Sequence, residues 1–259
     1  MPTPSANRRD PAIVLSDVCL GYGRTTVLHD VSMAIHAGTI TALVGPNGSG
    51  KSTLLNAIAG LMPRQRGSIT VHGLPPERQR RQIAYVQQRT DDNKLLPISG
   101  REVVRMGRYA HRGLLGRFRP EDRAAVGDAL ARMDATALAD HQLRELSGGQ
   151  QQRILIAQGL AQRGSVLMLD EPVTGLDLTS RAAILDVIAD EREAGVAIVM
   201  TTHDLSEARS ADQVVLLAGR VIATGPPSGV LTRDNLVAAY GREPSMVGPE
   251  WHLDDPHHD

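Results

Sequence analysis

The sequence predicts an α/β fold in which a mostly parallel sheet carries helices and a helical segment is inserted between its strands. Short apolar runs typical of buried strands occur in the first third, at Ile40–Val44, and in the last third, at Val166–Leu169. The middle of the chain, about residues 90 to 163, instead contains two helical patterns, Glu121–Met133 and Gly149–Arg163. We therefore expect the first and last thirds to share one sheet and the middle to form a helical unit.

The first third begins with an arm and continues with strands and a helix. Residues 1–11 contain three prolines and no apolar periodicity, which indicates a flexible arm. Val31, Met33 and Ile35 then alternate with neighbours of the opposite face, which is the period of a strand. A helix is predicted from Lys51 onward, after a glycine-rich loop.

The last third returns to alternating strands and helices. We predict a helix over Arg181–Ala194, a strand over Val196–Met200, and a hairpin formed by Val214–Leu217 and Arg220–Ala223. The tail, residues 241–259, is polar, acidic and rich in proline, so we expect it to be disordered towards its end.

Composition restricts the classes of function. The 259 residues include 28 Lys and Arg against 29 Asp and Glu, and this near-neutral charge argues against a nucleic-acid binder that relies on a general basic field. A single cysteine, Cys19, excludes a disulfide framework and a site with several thiolates. The longest apolar runs are about five residues, whereas a spanning helix needs about 20, and the N-terminus lacks the apolar stretch of a signal peptide. We therefore expect a soluble cytoplasmic protein.

A glycine-rich loop follows the predicted strand at Ile40–Val44. The segment from Gly45 to Ser52 matches the phosphate-binding pattern G-x-x-x-x-G-K-[ST], with a strand before it and a helix after it. Its glycines let backbone N–H groups face a polyphosphate, and the start of the helix adds its positive end. Lys51 would reach the β- and γ-phosphates, and Ser52 would bind Mg²⁺. The alternative, a chance glycine turn, does not explain the full pattern with its flanking elements.

Two acidic residues follow the second apolar run. Asp170 would lie at the carboxyl end of Val166–Leu169, where ligands gather in α/β sheets, and is suited to hold Mg²⁺ through water. Glu171 is placed where a carboxylate could orient an attacking water. Taken alone, two acids after an apolar run could merely begin a loop. Together with the phosphate loop they indicate a nucleoside triphosphatase.

A third motif distinguishes between the kinds of nucleoside triphosphatase. The string Leu-Ser-Gly-Gly-Gln, residues 146–150, precedes a predicted helix. Ser147 suits its N-cap, and the two glycines leave backbone N–H groups open to an anion. An ordinary helix cap would explain Ser147 but not the whole string. Over essentially residues 12–240 the sequence resembles the ATP-binding subunits of ABC transporters, whose signature is this string.

The resemblance implies a fold and an activity. The fold would be that of an ABC ATPase: a P-loop NTPase (RecA-like) core with an antiparallel β subdomain and an inserted α-helical subdomain. The core would comprise about residues 12–89 and 164–240, and the insertion about residues 90–163. The activity would be ATP hydrolysis coupled to transport across a membrane, with ATP and Mg²⁺ bound.

The resemblance also implies the site residues. Glu171, His203, Lys51 and Gln88 would be catalytic, and Ser52, Gln88 and Asp170 would hold Mg²⁺. The ATP contacts within one subunit would be Tyr22, Gly45, Pro46, Asn47, Gly48, Ser49, Gly50, Lys51, Ser52 and Thr53. In the family's closed dimer the opposite subunit adds contacts, which here would be Ser147, Gly148, Gly149, Gln150 and Asp177.

Three of these assignments have an alternative. Tyr22, assigned to stack on adenine, could be a core tyrosine. Gln87 and Gln88 can be confused with each other as the family's glutamine, and we favour Gln88. His203, assigned as the switch histidine that contacts the γ-phosphate, could be structural. Its place at a predicted strand end, about thirty residues beyond Glu171, favours the functional role.

Partners follow from the resemblance as well. The chain would dock on separate integral membrane permease subunits through its helical insertion, at the inner face of the cell membrane. Two copies would close as a homodimer over two ATP molecules. An extracytoplasmic solute-binding protein is implied indirectly, and nucleic acid is not expected as a partner.

The cargo is indicated less directly. Val103–Tyr109 and Glu171–Asp177 resemble the zinc and manganese importer group, whereas Arg108–His111 also resembles iron-siderophore importers. We favour import of zinc or manganese, with siderophore or haem uptake as the alternative. A soluble ABC ATPase that acts on DNA or ribosomes is disfavoured, because the chain has a single cassette and lacks heptads. A small-molecule kinase does not account for the signature.

Two further segments allow two interpretations each. Arg101–Arg123 contains seven arginines, which could contact the permease or lipid headgroups, or could form a solvated helical face. The tail contains histidines among aspartates, which could sense a metal. We favour a polar disordered tail because no scaffold fixes the geometry of these ligands. The tail residues concerned are His252, Asp254, Asp255, His257, His258 and Asp259.

Overall fold

The computed structural model describes residues 11–88, 97–112 and 116–241, and the backbone of 245–247 and 250–252. Its strands are β1 Pro11–Tyr22, β2 Thr25–His36, β3 Ile40–Val44, β4 Arg66–Val71, β5 Ile83–Val86, β6 Val166–Leu169, β7 Ala197–Thr201, β8 Gln213–Leu217, β9 Val221–Gly225, β10 Ser245–Val247 and β11 Glu250–His252. Its helices are α1 Lys51–Ile58, α2 Gly100–Met106, α3 Tyr109–Arg112, α4 Pro120–Arg132, α5 Gly148–Gln162, α6 Leu178–Glu193, α7 Leu205–Arg209, α8 Pro227–Val230 and α9 Arg233–Tyr240. Short 3₁₀ turns lie at Pro76–Arg78, Thr136–Leu138 and Leu143–Glu145.

A central sheet has the strand order β5-β6-β7-β3-β8-β9. Neighbouring strands are parallel except β9, which is antiparallel to β8. Strands β3 and β5 come from the first third of the chain and the others from the last third. The prediction that the two thirds share one sheet is therefore confirmed, as is the hairpin formed by β8 and β9.

The central sheet is buried on both faces, which explains the unbroken apolar runs that mark its strands. In β6, Leu167 and Leu169 face the cluster that includes Ile154 of α5 and Ile184 of α6. The alternate residue Met168 faces the other cluster, where α1 packs. Because parallel strands end at the same edge, the loops after β5, β6, β7 and β3 lie side by side in that order.

A second, antiparallel sheet has the order β2-β1-β4 and packs against α1. It is the antiparallel β subdomain that the family resemblance implied. Strand β1 begins at Pro11, so the ordered domain begins one residue earlier than predicted. The remainder of the predicted arm, residues 1–10, lies outside the described residues.

The helical insertion contains α2 to α5, between Gly100 and Gln162. Helices α4 and α5 each lie within one or two residues of the predicted bounds. Helix α5 packs against α2 and α4 and also against β5, so it connects the insertion to the central sheet. None of the helices in the described parts of the chain combines the length and apolar character needed to cross a membrane.

The arginine-rich stretch is partly internal: five of its seven arginines are exposed, so the two interpretations offered from the sequence apply to those five and not to Arg108 and Arg112. Arg108 is 7% exposed and its Nε donates to Asp122 Oδ1 at 2.9 Å. Arg112 donates to the other oxygen of Asp122 at 2.8 Å, and Arg101 pairs with Asp140. These arginines stabilise the insertion, because the acids that bind them come from the same helical unit.

The tail contains a short antiparallel pair, β10 and β11, which the sequence did not predict. Strand β11 lies beside α7. The aspartates and the last two histidines of the tail lie outside the described residues, so the disorder expected there stays a prediction.

Candidate active site

The phosphate loop, residues 45–52, connects β3 to α1 as predicted. Two of its glycines have backbone angles in the left-handed region, Gly48 with φ 76° and Gly50 with φ 102°, where other residues are strained. A Cβ on Gly50 would lie 2.5 Å from Cγ of Leu28, and one on Gly45 would lie 2.1 Å from the Leu217 carbonyl oxygen. These positions therefore require glycine to keep the loop tight against β2 and β8.

Lys51, the first residue of α1, is buried within this loop. Its Nζ donates to the carbonyl oxygens of Gly45 at 2.6 Å and Pro46 at 3.1 Å. Ser49 is 5% exposed, and its Oγ has no hydrogen-bond partner among the described protein atoms. Ser52 is exposed at the start of α1. The loop thus presents an ammonium and two hydroxyls at a helix N-terminus, which suits a polyphosphate.

The remaining loop residues divide by exposure. Pro46 is half-buried, Asn47 and Gly48 are exposed, and Thr53 is buried in the first turn of α1. Tyr22, at the end of β1, is 60% exposed. The core alternative for Tyr22 is therefore wrong, and an exposed ring is available to a ligand.

Asp170 follows β6 and is 6% exposed. Its Oδ1 accepts a hydrogen bond from Thr201 Oγ1 at 2.6 Å, and its Oδ2 lies 3.5 Å from the Tyr85 hydroxyl. Burial and the nearby Asp170 carboxylate raise the pKa of Tyr85, so its hydroxyl stays protonated and can donate. The sequence did not indicate Tyr85 or Thr201, because their role depends on strands β5 and β7 lying on either side of β6.

Glu171 adopts a left-handed backbone conformation, φ 48°. Its N–H donates to Thr201 Oγ1 at 2.8 Å, which helps to hold this unusual geometry. Its Oε2 accepts a hydrogen bond from Gln88 Nε2 at 2.9 Å and lies 3.9 Å from His203 Nδ1. Three predicted catalytic side chains therefore converge, each from the loop after a different strand of the central sheet.

Of the two glutamines that follow β5, Gln88 is the one that contacts Glu171. Both glutamines line a cavity of about 290 Å³ between β5 and the helical insertion, and Met106, Leu143 and Leu155 line it too. Gln88 therefore lies between Glu171 and the insertion.

The loop that carries His203 is fixed on both sides of this residue. Thr202 Oγ1 donates to Glu207 at 2.5 Å and accepts from the Asp204 N–H at 3.0 Å. Arg181 of α6 donates to Asp204 at 2.9 Å and lies 3.1 Å from Glu207. Burial raises the pKa of Glu207, whereas hydrogen bonds from Ser206 and Arg181 outweigh burial and lower the pKa of Asp204. No residue pattern in the sequence indicated these contacts.

The signature, residues 146–150, begins α5. Ser147 accepts from the Gln150 N–H at 3.4 Å, and the Gln150 side chain accepts from the Ser147 N–H at 2.9 Å, which is a capping box. Gly149 lies against α6, since a Cβ there would be 2.8 Å from Ser180 Oγ and 3.4 Å from Asp177 Oδ2. Ser147 and Gly148 are exposed. The predicted opposite-subunit contacts are thus neighbours of one another on the surface.

Asp177 is the N-cap of α6 and accepts from the N–H and hydroxyl of Ser180 at 2.9 and 2.8 Å. These hydrogen bonds lower the pKa of Asp177, so the cap is ionised at neutral pH.

Comparison with known proteins decides the family. A family model described as ABC transporter matches residues 28–174, which include the phosphate loop, Glu171 and the signature. The chain belongs to the ABC transporter ATP-binding family. It is therefore an ATPase whose hydrolysis of ATP is coupled to transport.

Relatives with assigned names extend this result. The ABC subunit is 38% identical over 230 residues to the manganese transport system ATP-binding protein MntB of Bacillus subtilis, covering 88% of this chain and 92% of the relative. It is 38% identical over 248 residues to the zinc transport system ATP-binding protein TroB of Treponema pallidum, covering 95% and 93%. The chelated iron transport system membrane protein YfeB of Yersinia pestis is 38% identical over 252 residues, covering 95% and 85%.

Solved structures confirm the fold of the ABC subunit. A metal-chelate type ABC transporter in an inward-facing conformation has a chain that matches with TM-score 0.79 and 27% identity, covering 93% of this chain and 95% of that one. A dimeric bacterial ABC transporter cassette matches with TM-score 0.73 and 28% identity, covering 83% and 98%.

Proposed function

We propose that this ABC subunit powers the import of a divalent metal ion, manganese or zinc, with Glu171 as the residue that activates the attacking water. The observation that supports the catalytic part is the convergence of Gln88, Glu171 and His203. All three lie at the same sheet edge as the phosphate loop. The proposal for the cargo is supported by the similarity to the manganese and zinc transport ATP-binding proteins.

The mechanism assigns one task to each group. Loop N–H groups and Lys51 bind and orient the β- and γ-phosphates, while the exposed ring of Tyr22 stacks on adenine. Glu171 accepts a hydrogen bond from the attacking water and aligns it with the γ-phosphorus. His203, whose Nδ1 lies 3.9 Å from Glu171 Oε2, contacts the γ-phosphate. Gln88 holds Glu171 in place until nucleotide binds.

The residues present fit a Mg²⁺ ion. Ser52, Gln88 and Asp170 offer a hydroxyl, an amide oxygen and a carboxylate, which are the oxygen ligands that Mg²⁺ prefers. Asp170 is buried at the end of β6, and the hydroxyls of Thr201 and Tyr85 hold its carboxylate in one orientation. When bound, Mg²⁺ neutralises charge on the β- and γ-phosphate oxygens.

A head-to-tail homodimer completes the site in this proposal. Gly148 is exposed at the start of the 15-residue helix α5, and the positive end of this helix attracts the phosphates of a nucleotide bound to the partner. Leu178, beside Asp177, is 85% exposed, and a closed dimer would cover it. The dimeric cassette among the solved structures supports this arrangement.

The permease would dock on the cavity that Gln87 and Gln88 line. Its walls come from the core and from the helical insertion, so a change in their relative position reaches the permease directly. The chain would then lie at the cytoplasmic face of the membrane through this contact, and a solute-binding protein would act from the far side.

The cargo alternative, siderophore or haem uptake, rested on the residues Arg108–His111. In the structure Arg108 binds Asp122, and His111 Nε2 lies 2.7 Å from the Gln162 carbonyl oxygen. This string therefore has a structural task within the insertion, and it does not distinguish between cargoes. Because one relative is named for chelated iron transport, the experiment must distinguish iron from manganese and zinc.

The test is cellular metal content, measured by elemental mass spectrometry under metal limitation. A strain that lacks the gene is complemented with the wild type, with Glu171→Gln, or with Arg192→Gln as a control in the last turn of α6. We expect manganese or zinc to fall selectively in the deletion strain and to recover with the wild type and Arg192→Gln but not with Glu171→Gln. A selective fall in iron, or unchanged metals, would contradict the proposed cargo.

A further inference from the structure

We propose that Arg181 is a positioning residue that transmits the position of the α6 N-terminus to the His203 loop. This inference rests on the proposed function, because it assigns His203 to the γ-phosphate and the signature to the opposite nucleotide. The new element is a physical link, within one chain, between the signature and His203.

One side of the first turn of α6 faces the signature. Asp177 caps this turn through Ser180, and the α-carbon of Gly149 approaches both side chains closely enough that a methyl group would collide with Ser180 Oγ at 2.8 Å. The start of α5 and the start of α6 are therefore in tight contact. In this proposal, a shift of the signature towards a nucleotide on the partner displaces this turn.

The next residue of the same turn, Arg181, faces the His203 loop. One guanidinium nitrogen, Nη2, donates to Asp204 at 2.9 Å and lies 3.1 Å from Glu207, whose side chain is 7% exposed. A terminal guanidinium nitrogen carries two N–H donors, so this one group can bind both carboxylates at once. Through these two contacts, Arg181 connects α6 to the loop that carries His203.

His203 lies between the two residues that this network fixes. Asp204 binds Arg181 directly, and Thr202 is bound to Glu207 at 2.5 Å and to the Asp204 N–H at 3.0 Å. A displacement of α6 is therefore passed to both neighbours of His203. Closure at one nucleotide thereby sets the position of the histidine at the other.

The experiment measures ATP hydrolysis by the full-length chain as a function of ATP concentration, with binding of a fluorescent ATP analogue measured separately. We expect Arg181→Gln to lower kcat by about tenfold and to reduce the Hill coefficient towards one, within the usual range of coupling between sites. The KM and the affinity for the analogue should stay within about twofold of the wild type, since no ATP contact is removed. Arg181→Lys should recover part of kcat.

The controls separate this inference from simple loss of structure. Arg192→Gln removes an arginine of the same helix whose ion pairs are long, at 3.8 Å, and should behave as the wild type. If Arg181→Gln melts at a much lower temperature, Asp204→Asn replaces it as the test, since it removes the negative charge that Arg181 binds while an amide can still cap α7. Unchanged kcat and Hill coefficient in the folded variant would overturn the proposal.

Lys51→Ala and Glu171→Gln in the same assay distinguish failure of the inference on Arg181 from failure of the proposed catalytic site. If both lose hydrolysis while Arg181→Gln does not, the inference on Arg181 fails and the proposed catalytic site stands. If Glu171→Gln retains hydrolysis, the proposed site itself fails.

Discussion

At the scale of single residues, the site is built from groups held in unusual states by their neighbours. Glu171 has φ 48°, a conformation that a non-glycine residue adopts at some cost, and Thr201 binds its N–H. The same Thr201 hydroxyl donates to Asp170 at 2.6 Å. One buried hydroxyl thus orients the two acids that follow β6, so contacts within the protein hold the geometry of Glu171.

The adjacent glutamines give a matched pair of variants. We expect Gln88→Leu to lower kcat by about tenfold or more, because it removes the hydrogen bond to Glu171 and a ligand of the proposed Mg²⁺ site. Gln87→Leu should leave the ATPase activity of the isolated subunit within about twofold, since the hydrogen bond to Glu171 comes from Gln88. Steady-state ATPase assays of both variants check this. Equal losses in the two would contradict the assignment of Gln88.

Local motifs explain how much of the site could be predicted. The phosphate loop and the pair Asp170-Glu171 are contiguous in sequence, so their spacing alone indicated the chemistry. Thr201, Tyr85 and Arg181 belong to the site through contacts between strands and helices that are far apart in the chain. No residue pattern near them carries that information, and only the order of strands in the sheet supplies it.

At the scale of elements, a buried ion-pair network fastens the helical insertion. Asp122, on α4, is fully buried and receives Arg108 at 2.9 Å and Arg112 at 2.8 Å. Arg108 also donates to the Ala161 carbonyl oxygen at 2.8 Å, at the end of α5. The sequence showed the arginines but not their partner. It could not tell internal from solvated arginines, because that depends on how α4 packs.

This network predicts a large loss of stability when its acid is removed. We expect Asp122→Asn to lower the free energy of unfolding by about 3 kcal/mol, since the buried Arg108 loses its counter-charge and the half-buried Arg112 keeps only the exposed Glu121. Asp128→Asn, on an exposed face of the same helix, should change it by less than about 0.5 kcal/mol. Denaturant unfolding followed by circular dichroism measures both. Similar losses for the two variants would contradict a special role for Asp122.

The stability difference between the wild type and Asp122→Asn should decrease at low pH. Burial alone would raise the pKa of Asp122, but hydrogen bonds from the Arg119 N–H, Arg112 and Arg108 outweigh it, so the pKa lies well below its ordinary value. Stability from this group is therefore fully present above the unfolded pKa of about 3.9, and it decreases as pH falls towards the folded value. The difference between the wild type and Asp122→Asn should shrink below about pH 4.

At the scale of the whole molecule, the predicted nucleotide contacts divide between two surfaces. The phosphate loop, Asp170, Glu171 and His203 lie at the carboxyl edge of the central sheet, whereas the signature begins a helix of the insertion. The parallel sheet and the insertion were predictable because apolar runs and helical periods differ clearly along the chain. The separate antiparallel sheet came from family resemblance, since strand alternation alone does not say which strands pair.

A closed dimer is the arrangement that would bring the two surfaces to one nucleotide, and Ser147→Arg tests it. In a Glu171→Gln background, we expect the parent to form dimers with MgATP, because slowed hydrolysis keeps the closed state populated. Ser147→Arg should stay monomeric by light scattering while it still binds a fluorescent ATP analogue, because the added side chain blocks the partner's nucleotide.

Gly127→Arg provides the control for this prediction. Gly127 is exposed on α4 with open space around it, so this variant should still dimerise. Loss of analogue binding in Ser147→Arg would instead place the signature at the nucleotide of its own chain, and retained dimers would remove it from the interface.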